Sequence, residues 1–143
     1  MEFCSDNLNN IIEEKPKCFD RQSSETMNSK GFYISCQLFK ELLESVGYLH
    51  ESNSPIIHRD LKPANILITE ESRNGRFLKL CDLGLAREIG SETLYLTKAG
   101  TRDYMPLEVR TVTGCRAKFS SNAIYLTLVL SQRNCLILIL ISK

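Results

Sequence analysis

The segment His58-Arg59-Asp60-Leu61-Lys62-Pro63-Ala64-Asn65, followed by the apolar run Ile66-Leu67-Ile68, decides how this sequence is interpreted. It places a carboxylate, two cations and an amide directly ahead of a strand-like run. Asp60 is able to accept a proton from an attacking hydroxyl, and Lys62 is able to neutralise a transferring phosphoryl group. Asn65 offers a hard oxygen ligand suited to Mg²⁺. The segment therefore predicts chemistry on phosphate and metal.

A second segment, Lys79-Leu80-Cys81-Asp82-Leu83-Gly84-Leu85-Ala86-Arg87, ends a short apolar strand with an aspartate. An aspartate at the end of a strand is suited to hold Mg²⁺ between phosphates. Gly84 allows the backbone to turn sharply after it. The sequence thus offers Asn65 and Asp82 as two oxygen ligands for one metal.

These two segments resemble motifs of the eukaryotic protein kinases. The first resembles the catalytic loop His-Arg-Asp-Leu-x-x-x-x-Asn, and a lysine two residues after the aspartate is typical of the serine/threonine branch. The second resembles the metal-binding Asp-Phe-Gly segment, with Leu83 in place of phenylalanine. The resemblance implies that Asp60, Lys62 and Asn65 are catalytic and that Asn65 and Asp82 bind Mg²⁺.

The start of the chain resembles the hinge that follows the N-terminal lobe of a kinase. By this resemblance, Met1 is the gatekeeper, and the backbone of Glu2 and Cys4 faces the edge of adenine. Leu67 forms the apolar floor beneath the base. The implied cofactors are ATP and Mg²⁺, and the implied cofactor-binding residues are Glu2, Cys4, Lys62, Asn65, Leu67 and Asp82.

Residues 87–100 resemble an activation segment, and they carry four hydroxyl side chains: Ser91, Thr93, Tyr95 and Thr97. A phosphate added there would pair with Arg59 and order the segment. The alternative is that these hydroxyls only reflect the composition of a loop. The next nine residues, from Gly100 to Glu108, resemble the family motif Gly-Thr-x-x-Tyr-Met-Ala-Pro-Glu, with Pro106-Leu107 replacing Ala-Pro. Thr101 is expected to contact the catalytic loop.

Hydrophobic spacing predicts the main elements. We expect a short helix from Leu8 to Glu14 that stops before Pro16, and an exposed polar loop over residues 15–30. A long amphipathic helix is predicted from about Phe32 to His50. Its expected core positions are Phe32, Ile34, Leu38, Phe39, Leu42, Leu43, Val46 and Leu49.

Two strands, Ile66–Ile68 and Phe77–Leu80, are predicted to form a hairpin with a turn at Asn74-Gly75. We therefore expect an α+β fold, mostly helical, that resembles part of the C-terminal lobe of a protein kinase. In this fold the short β-hairpin carries the catalytic and metal-binding loops.

Composition narrows the cellular context. The 143 residues are 43% hydrophobic and 24% charged, which predicts one globular domain. A net charge of +1 gives no argument for a nucleic-acid partner or an anionic membrane. The six cysteines contain no C-x-x-C pair, and the N-terminus lacks a secretory signal. We therefore expect reduced thiols and an intracellular, cytoplasmic location.

The resemblance weakens towards both ends of the chain. No glycine-rich loop, β3 lysine or αC glutamate precedes the hinge, and no acidic residue follows Glu108. The apolar run Cys135–Ile141 is either a membrane span or an unnatural or truncated end, and its shortness favours the second interpretation. We expect a partial kinase domain over residues 1–130 and an atypical apolar tail over 131–143.

Two functions remain open. The first is a serine/threonine protein kinase, which transfers a phosphoryl group from ATP to a hydroxyl of a protein substrate. The alternative is a catalytically inactive, pseudokinase-like fragment that serves as a protein-interaction module. Intact Asp60, Asn65 and Asp82 favour the first. The missing N-terminal lobe favours the inactivity of this particular chain.

Overall fold

The computed structural model describes residues 4–18, 28–88, 95–96, 99–105, 109–110 and 117–118. The described residues fall into two compact units. The first contains residues 4–18, 28–46 and 63–81, and the second contains residues 47–62 and the described residues from 82 onward. In chain order the helices and strands are β1 (Asp6–Asn7), α1 (Leu8–Cys18), α2 (Ser29–His50), β2 (Ile56–Ile57), β3 (Ile66–Arg73), β4 (Arg76–Leu80), β5 (Arg87–Glu88), β6 (Tyr95–Leu96) and β7 (Ala117–Lys118).

The first unit is organised around an antiparallel sheet of strand order β1-β3-β4. The predicted hairpin is confirmed and is longer than expected, because β3 extends to Arg73 and β4 begins at Arg76. Asn74 and Gly75 take φ values of 55° and 73°, the left-handed backbone that a tight hairpin turn requires. Leu8, the first residue of α1, and Ile66, the first residue of β3, are fully buried.

Helix α1 continues past the point where we expected it to end. Pro16 lies inside the helix, which reaches Cys18, so the prediction of a stop before Pro16 is wrong. A proline inside a helix loses the hydrogen bond to the residue four positions earlier, here Ile12, and its ring crowds that carbonyl, which weakens a helix but need not end it. The helix is anchored ahead of that point, since Leu8 and Ile12 are buried.

Helix α2 is capped by Asn28, whose side-chain oxygen accepts the N–H of Gly31 at 2.8 Å. Its buried stripe includes Leu42 and Val46, as predicted. The prediction is wrong at the helix start, where Phe32 and Ile34 are 50% and 44% exposed. The buried positions in that turn are the small residues Gly31 and Ser35.

The second unit contains two short antiparallel ladders. β2 pairs with β5, with Ile57 opposite Arg87, and β6 pairs with β7, with Leu96 opposite Ala117. The buried side chains of this unit include Ile57, His58, Met105 and Val109. An α+β architecture is therefore observed, with helix more abundant than strand among the described residues.

Several predictions fall outside the described residues. These concern most of the polar loop (19–27), three of the activation-segment hydroxyls (Ser91, Thr93 and Thr97), Pro106 to Glu108, and the apolar run 135–141. Within the described part of the chain, no helix is long and apolar enough to cross a membrane. Cys4, Cys36 and Cys81 are not joined in disulfide bonds.

Candidate active site

The centre of the candidate site is the Asp60 carboxylate in the second unit. Asp60 is only 6% exposed. Its Oδ1 accepts the backbone N–H of Thr101 at 2.8 Å and the Thr101 hydroxyl at 2.7 Å. Its Oδ2 lies 2.9 Å from the Lys62 ammonium group. Lys62 also donates to the Thr101 hydroxyl oxygen at 3.1 Å, so three side chains form one closed cluster.

These contacts determine the charge of Asp60. Burial opposes ionisation, but the hydrogen bonds from Thr101 and Lys62 together outweigh it, so the pKa of Asp60 lies below its usual value. A depressed pKa means that this carboxylate stabilises the fold above the ordinary aspartate pKa of about 3.9. That stability is lost only as the pH falls through the folded-state pKa. Asp60 is consequently a carboxylate at neutral pH.

The cluster depends on a close backbone approach between Gly100 and Arg59. Gly100 takes φ of 110°, and a Cβ at this position would lie 2.2 Å from the Arg59 carbonyl oxygen. Arg59 itself is left-handed, with φ of 67°. Only glycine tolerates both this conformation and this contact. The contact brings the following residue, Thr101, onto Asp60.

Two residues beside Asp60 support the loop. His58 is 2% exposed, as expected for a packed residue, and its Nδ1 accepts the Asp60 N–H at 3.4 Å. The Arg59 side chain donates from Nε to the Leu85 carbonyl oxygen. Burial, and then the charge of Arg87, lower the pKa of Arg59. The predicted phosphate-binding cation thus has a second cation, Arg87, nearby.

Asp82 lies in the same unit as Asp60 and is exposed. It takes a left-handed conformation with φ of 58°, and its Oδ1 accepts the Gly84 N–H at 3.4 Å. This turn begins a short 3-10 helix, Leu83–Leu85. The sequence placed the sharp turn at Gly84, whereas the left-handed residue is Asp82 itself, whose carboxylate stands at the turn.

The remaining predicted site residues belong to the first unit. Asn65 is 7% exposed, and its backbone carbonyl oxygen accepts the Cys81 N–H at 3.0 Å, which closes the base of the β3–β4 hairpin. Leu67 is half-buried and lies opposite Asn7 of β1. Cys4 is half-buried and precedes β1. Met1 and Glu2 lie outside the described residues.

The oxygen ligands at the candidate site fit Mg²⁺, which protein side chains hold only in part, better than a metal ion that protein side chains hold entirely. Among the described residues there is no group of three or more His, Cys, Asp or Glu side chains that could hold a metal ion. Mg²⁺ is commonly bound through one or two protein oxygens, with phosphate and water completing its shell. Asp82 and Asn65 supply oxygens of this kind.

One residue of structural importance was not identified from the sequence. Glu41 of α2 binds two backbone N–H groups of β4, from Phe77 and Leu78. Its sequence context is that of an ordinary helix-surface acid. No local signal distinguishes it, because its partners lie more than thirty residues away.

Comparison with known protein families identifies the class of protein to which this arrangement of residues belongs. Residues 1–126 match the family model of the protein kinase domain. The chain therefore belongs to the protein kinase family, and the resemblance inferred from its motifs is confirmed.

Individual relatives agree with this assignment. Myosin light chain kinase A of Dictyostelium discoideum is 39% identical over 88 residues, which cover 59% of this chain and 29% of that protein. Human calcium/calmodulin-dependent protein kinase type IV is 37% identical over 89 residues, covering 60% of this chain and 18% of that protein. The chain thus spans less than a third of either relative.

A solved structure shows the same fold relation. A chain in the crystal structure of the yeast RNA Pol II CTD kinase CTDK-1 complex aligns with a TM-score of 0.54 and 31% identity. The alignment covers 76% of this chain and 30% of that chain. The described elements therefore correspond to part of a kinase.

Proposed function

We propose that this chain is part of a serine/threonine protein kinase, which transfers the γ-phosphoryl group of ATP to a hydroxyl of a protein substrate. The observation that carries the proposal is the cluster in which Asp60 meets the Lys62 ammonium at 2.9 Å and the Thr101 hydroxyl at 2.7 Å. Membership of the kinase family and the serine/threonine-type loop support it.

Asp60 orients the acceptor hydroxyl and receives its proton. Its depressed pKa makes it a weak base, so it acts mainly by position and negative charge. This role suits phosphoryl transfer, in which catalysis is largely positioning and electrostatic stabilisation. Three donated hydrogen bonds hold the carboxylate in one orientation, two at Oδ1 from Thr101 and one at Oδ2 from Lys62.

Lys62 stabilises the transferring phosphoryl group. Its ammonium is a compact point charge with three donors, and two of these are directed at Asp60 and Thr101. The third remains for a phosphate oxygen. Since Lys62 is held next to Asp60, its ammonium group is close both to the acceptor hydroxyl and to the phosphoryl group that this hydroxyl receives.

The nucleotide would be held by residues of the two kinase-like segments, 58–65 and 79–87, together with residues near the start of the chain. Asn65 and Asp82 are the residues that would hold Mg²⁺, and the ion would supply charge neutralisation at the phosphate oxygens. By the kinase resemblance, the backbone of Cys4 would face the adenine edge and Leu67 would lie beneath the base, while Glu2, proposed for the same edge, lies outside the described residues. Residues 1–130 form the partial domain, taken from the C-terminal lobe, and 131–143 form the apolar tail.

The same proposal extends to regulation and context. A phosphate on the activation segment, at Ser91, Thr93, Tyr95 or Thr97, would pair with Arg59 and order the segment. The protein is intracellular, and its partners are ATP and a protein substrate rather than nucleic acid or membrane.

Substitution of Asp60 tests the proposal. In a complete catalytic domain that contains this chain, we expect Asp60→Ala to lower transfer by about 10²-fold or more while ATP binding is largely kept. Asp60→Asn retains an oxygen for Thr101 and separates lost chemistry from lost folding. Asp103→Ala, at an exposed aspartate of the same unit, serves as the matched control.

The readout is phosphate transferred from labelled ATP to a general protein acceptor, beside ATP affinity. Near-normal transfer by Asp60→Asn would refute the assigned role. Nucleotide binding by the wild-type domain without transfer would favour the alternative, a non-catalytic interaction module.

A further inference from the structure

The outer edge of β4 is bound by a side chain from outside the sheet. The Glu41 carboxylate accepts the N–H of Phe77 at 2.7 Å and the N–H of Leu78 at 2.9 Å, both at Oε2. The backbone donors of an edge strand are otherwise left without a strand partner. Glu41 of α2 thus satisfies β4 at a point where no described strand pairs with it.

The two N–H groups that share Oε2 belong to consecutive residues. In a regular strand, successive N–H groups point to opposite sides. Phe77 and Leu78 direct both at a single oxygen, so the strand is locally irregular there, as in a β-bulge. The carboxylate occupies the paired donors that this irregularity creates.

The pairing register of the hairpin changes at the same place. Ile68 lies opposite Leu78, whereas Arg73 lies opposite Arg76. Four residues of β3 stand between these two pairs, but only one residue of β4, Phe77, does so. The turn at Asn74-Gly75 therefore cannot set the register at the base of the hairpin, since the ladder of hydrogen bonds is interrupted between the turn and the base.

The register at the base decides where the chain leaves the sheet. Ile66 lies opposite Leu80, and Cys81 donates to the Asn65 carbonyl oxygen at 3.0 Å. Asp82 is the next residue along the chain. A slip of β4 by one residue would reverse the side-chain faces of the strand and shift the point at which Asp82 begins.

We infer that Glu41 is a positioning residue. Its carboxylate fixes the pairing register of β4 at the irregularity, and this register determines where Asp82 lies after the end of the strand. The inference rests on the proposed function, in which Asp82 holds Mg²⁺, and adds a second determinant to that site. Neighbouring Glu44 provides a matched control. It pairs with Arg76 at 3.3 Å, contacts no backbone group of β4 in that pair, and is partly exposed.

The experiment compares Glu41→Met, Glu41→Gln and Glu44→Gln in the full chain, after helical circular dichroism has confirmed folding. Methionine keeps length and helix propensity but removes the acceptor, whereas glutamine keeps an acceptor oxygen. Two quantities are measured for each protein. The first is amide hydrogen exchange at Phe77, Leu78 and Cys81, and the second is the Mg²⁺ concentration that gives half-maximal ATP binding.

For Glu41→Met we expect exchange at all three amides to rise about tenfold or more, and the half-maximal Mg²⁺ concentration to rise about fivefold. ATP binding without Mg²⁺ should not change. Glu41→Gln and Glu44→Gln should stay within about twofold of wild type. In the wild-type chain, Mg²⁺-ATP should slow exchange at Phe77 and Leu78, because coupling between sites is reciprocal.

Faster exchange confined to Phe77 and Leu78, with Cys81 and the Mg²⁺ dependence unchanged, would overturn the inference and leave Glu41 as a local cap. Should Glu41→Met not fold, the wild-type exchange decides, and no Mg²⁺-ATP effect on Phe77 and Leu78 would overturn the inference. Absence of Mg²⁺-ATP binding by the folded wild-type chain would instead refute the proposed function. In that case Cys81 exchange in Glu41→Met alone decides whether Glu41 positions the segment.

Discussion

At Gly100, one missing side chain allows the candidate site to form. The residue takes φ of 110°, and its α-carbon lies so close to the loop around Asp60 that an added Cβ would meet the Arg59 carbonyl oxygen at 2.2 Å. No flexible side chain can move aside, because the obstructing atom belongs to the backbone. The approach places Thr101 where both its N–H and its hydroxyl reach Asp60.

Gly100→Ala should therefore destabilise the chain by about 2 kcal/mol or more, the sum of left-handed strain and a backbone clash. Gly75→Ala is the matched control. Gly75 also has positive φ, at 73°, but a Cβ there would meet nothing within 4 Å. Its substitution should cost only about 1 kcal/mol of strain.

Urea unfolding of both variants, followed by circular dichroism, measures the difference. Equal losses of unfolding free energy for Gly100→Ala and Gly75→Ala would contradict the close approach between Gly100 and Arg59.

At the same scale, the sequence predicted candidate site residues but not all of the contacts between them. Asp60, Lys62 and Asp82 could be named because their spacing matches a motif. The approach of Gly100 to Arg59 could not be predicted, since these residues are 41 positions apart and meet only after folding. The bonds from Glu41 to Phe77 and Leu78 were missed for the same physical reason.

Among the elements, helix α2 shows how pattern reading succeeds and fails. Residues two positions apart in a helix are separated by about 200° around its axis, so Phe32 and Ile34 cannot both face a narrow stripe. The stripe runs through Gly31, Ser35, Leu42 and Val46. Counting apolar residues favoured the large side chains, whereas the first turn buries small ones.

This stripe predicts that substitutions to alanine lower the free energy of unfolding by unequal amounts along α2. Leu42 has no exposed surface, so Leu42→Ala should lower the free energy of unfolding by about 2–5 kcal/mol. Ile34 is 44% exposed, and Ile34→Ala should change it by less than about 1 kcal/mol. Urea titration of both variants tests the assignment, and a larger loss from Ile34→Ala would contradict it.

The hairpin was predictable where local signals suffice. Asn74-Gly75 favours the left-handed turn, and the apolar runs on either side favour strands. Its register was not predictable, because the ladder is interrupted between Ile68 and Arg73 and is held by a helix distant in sequence. Likewise, Pro16 signals a helix end locally, but α1 continues for two further residues.

For the whole molecule, sequence comparison shows membership of the protein kinase family, whereas phosphoryl transfer by this chain is our proposal. The protein kinase family model covers residues 1–126, while the relatives compared are far longer than this chain. The two units were not anticipated from the sequence, because a single short domain was the simplest expectation from its length. Among the described residues the chain passes from one unit to the other at 46/47, 62/63 and 81/82, and the second of these points lies inside the kinase-like motif of residues 58–65.

Calorimetric titration of Mg²⁺-ATP into the purified chain tests the central claim most directly, with Asp82→Ala as the paired variant. We expect saturable binding that needs Mg²⁺ and weakens about tenfold or more in Asp82→Ala, because one of two proposed protein ligands is lost. Circular dichroism establishes that both proteins are folded. No binding by the folded wild-type chain, or equal affinity in Asp82→Ala, would contradict the account.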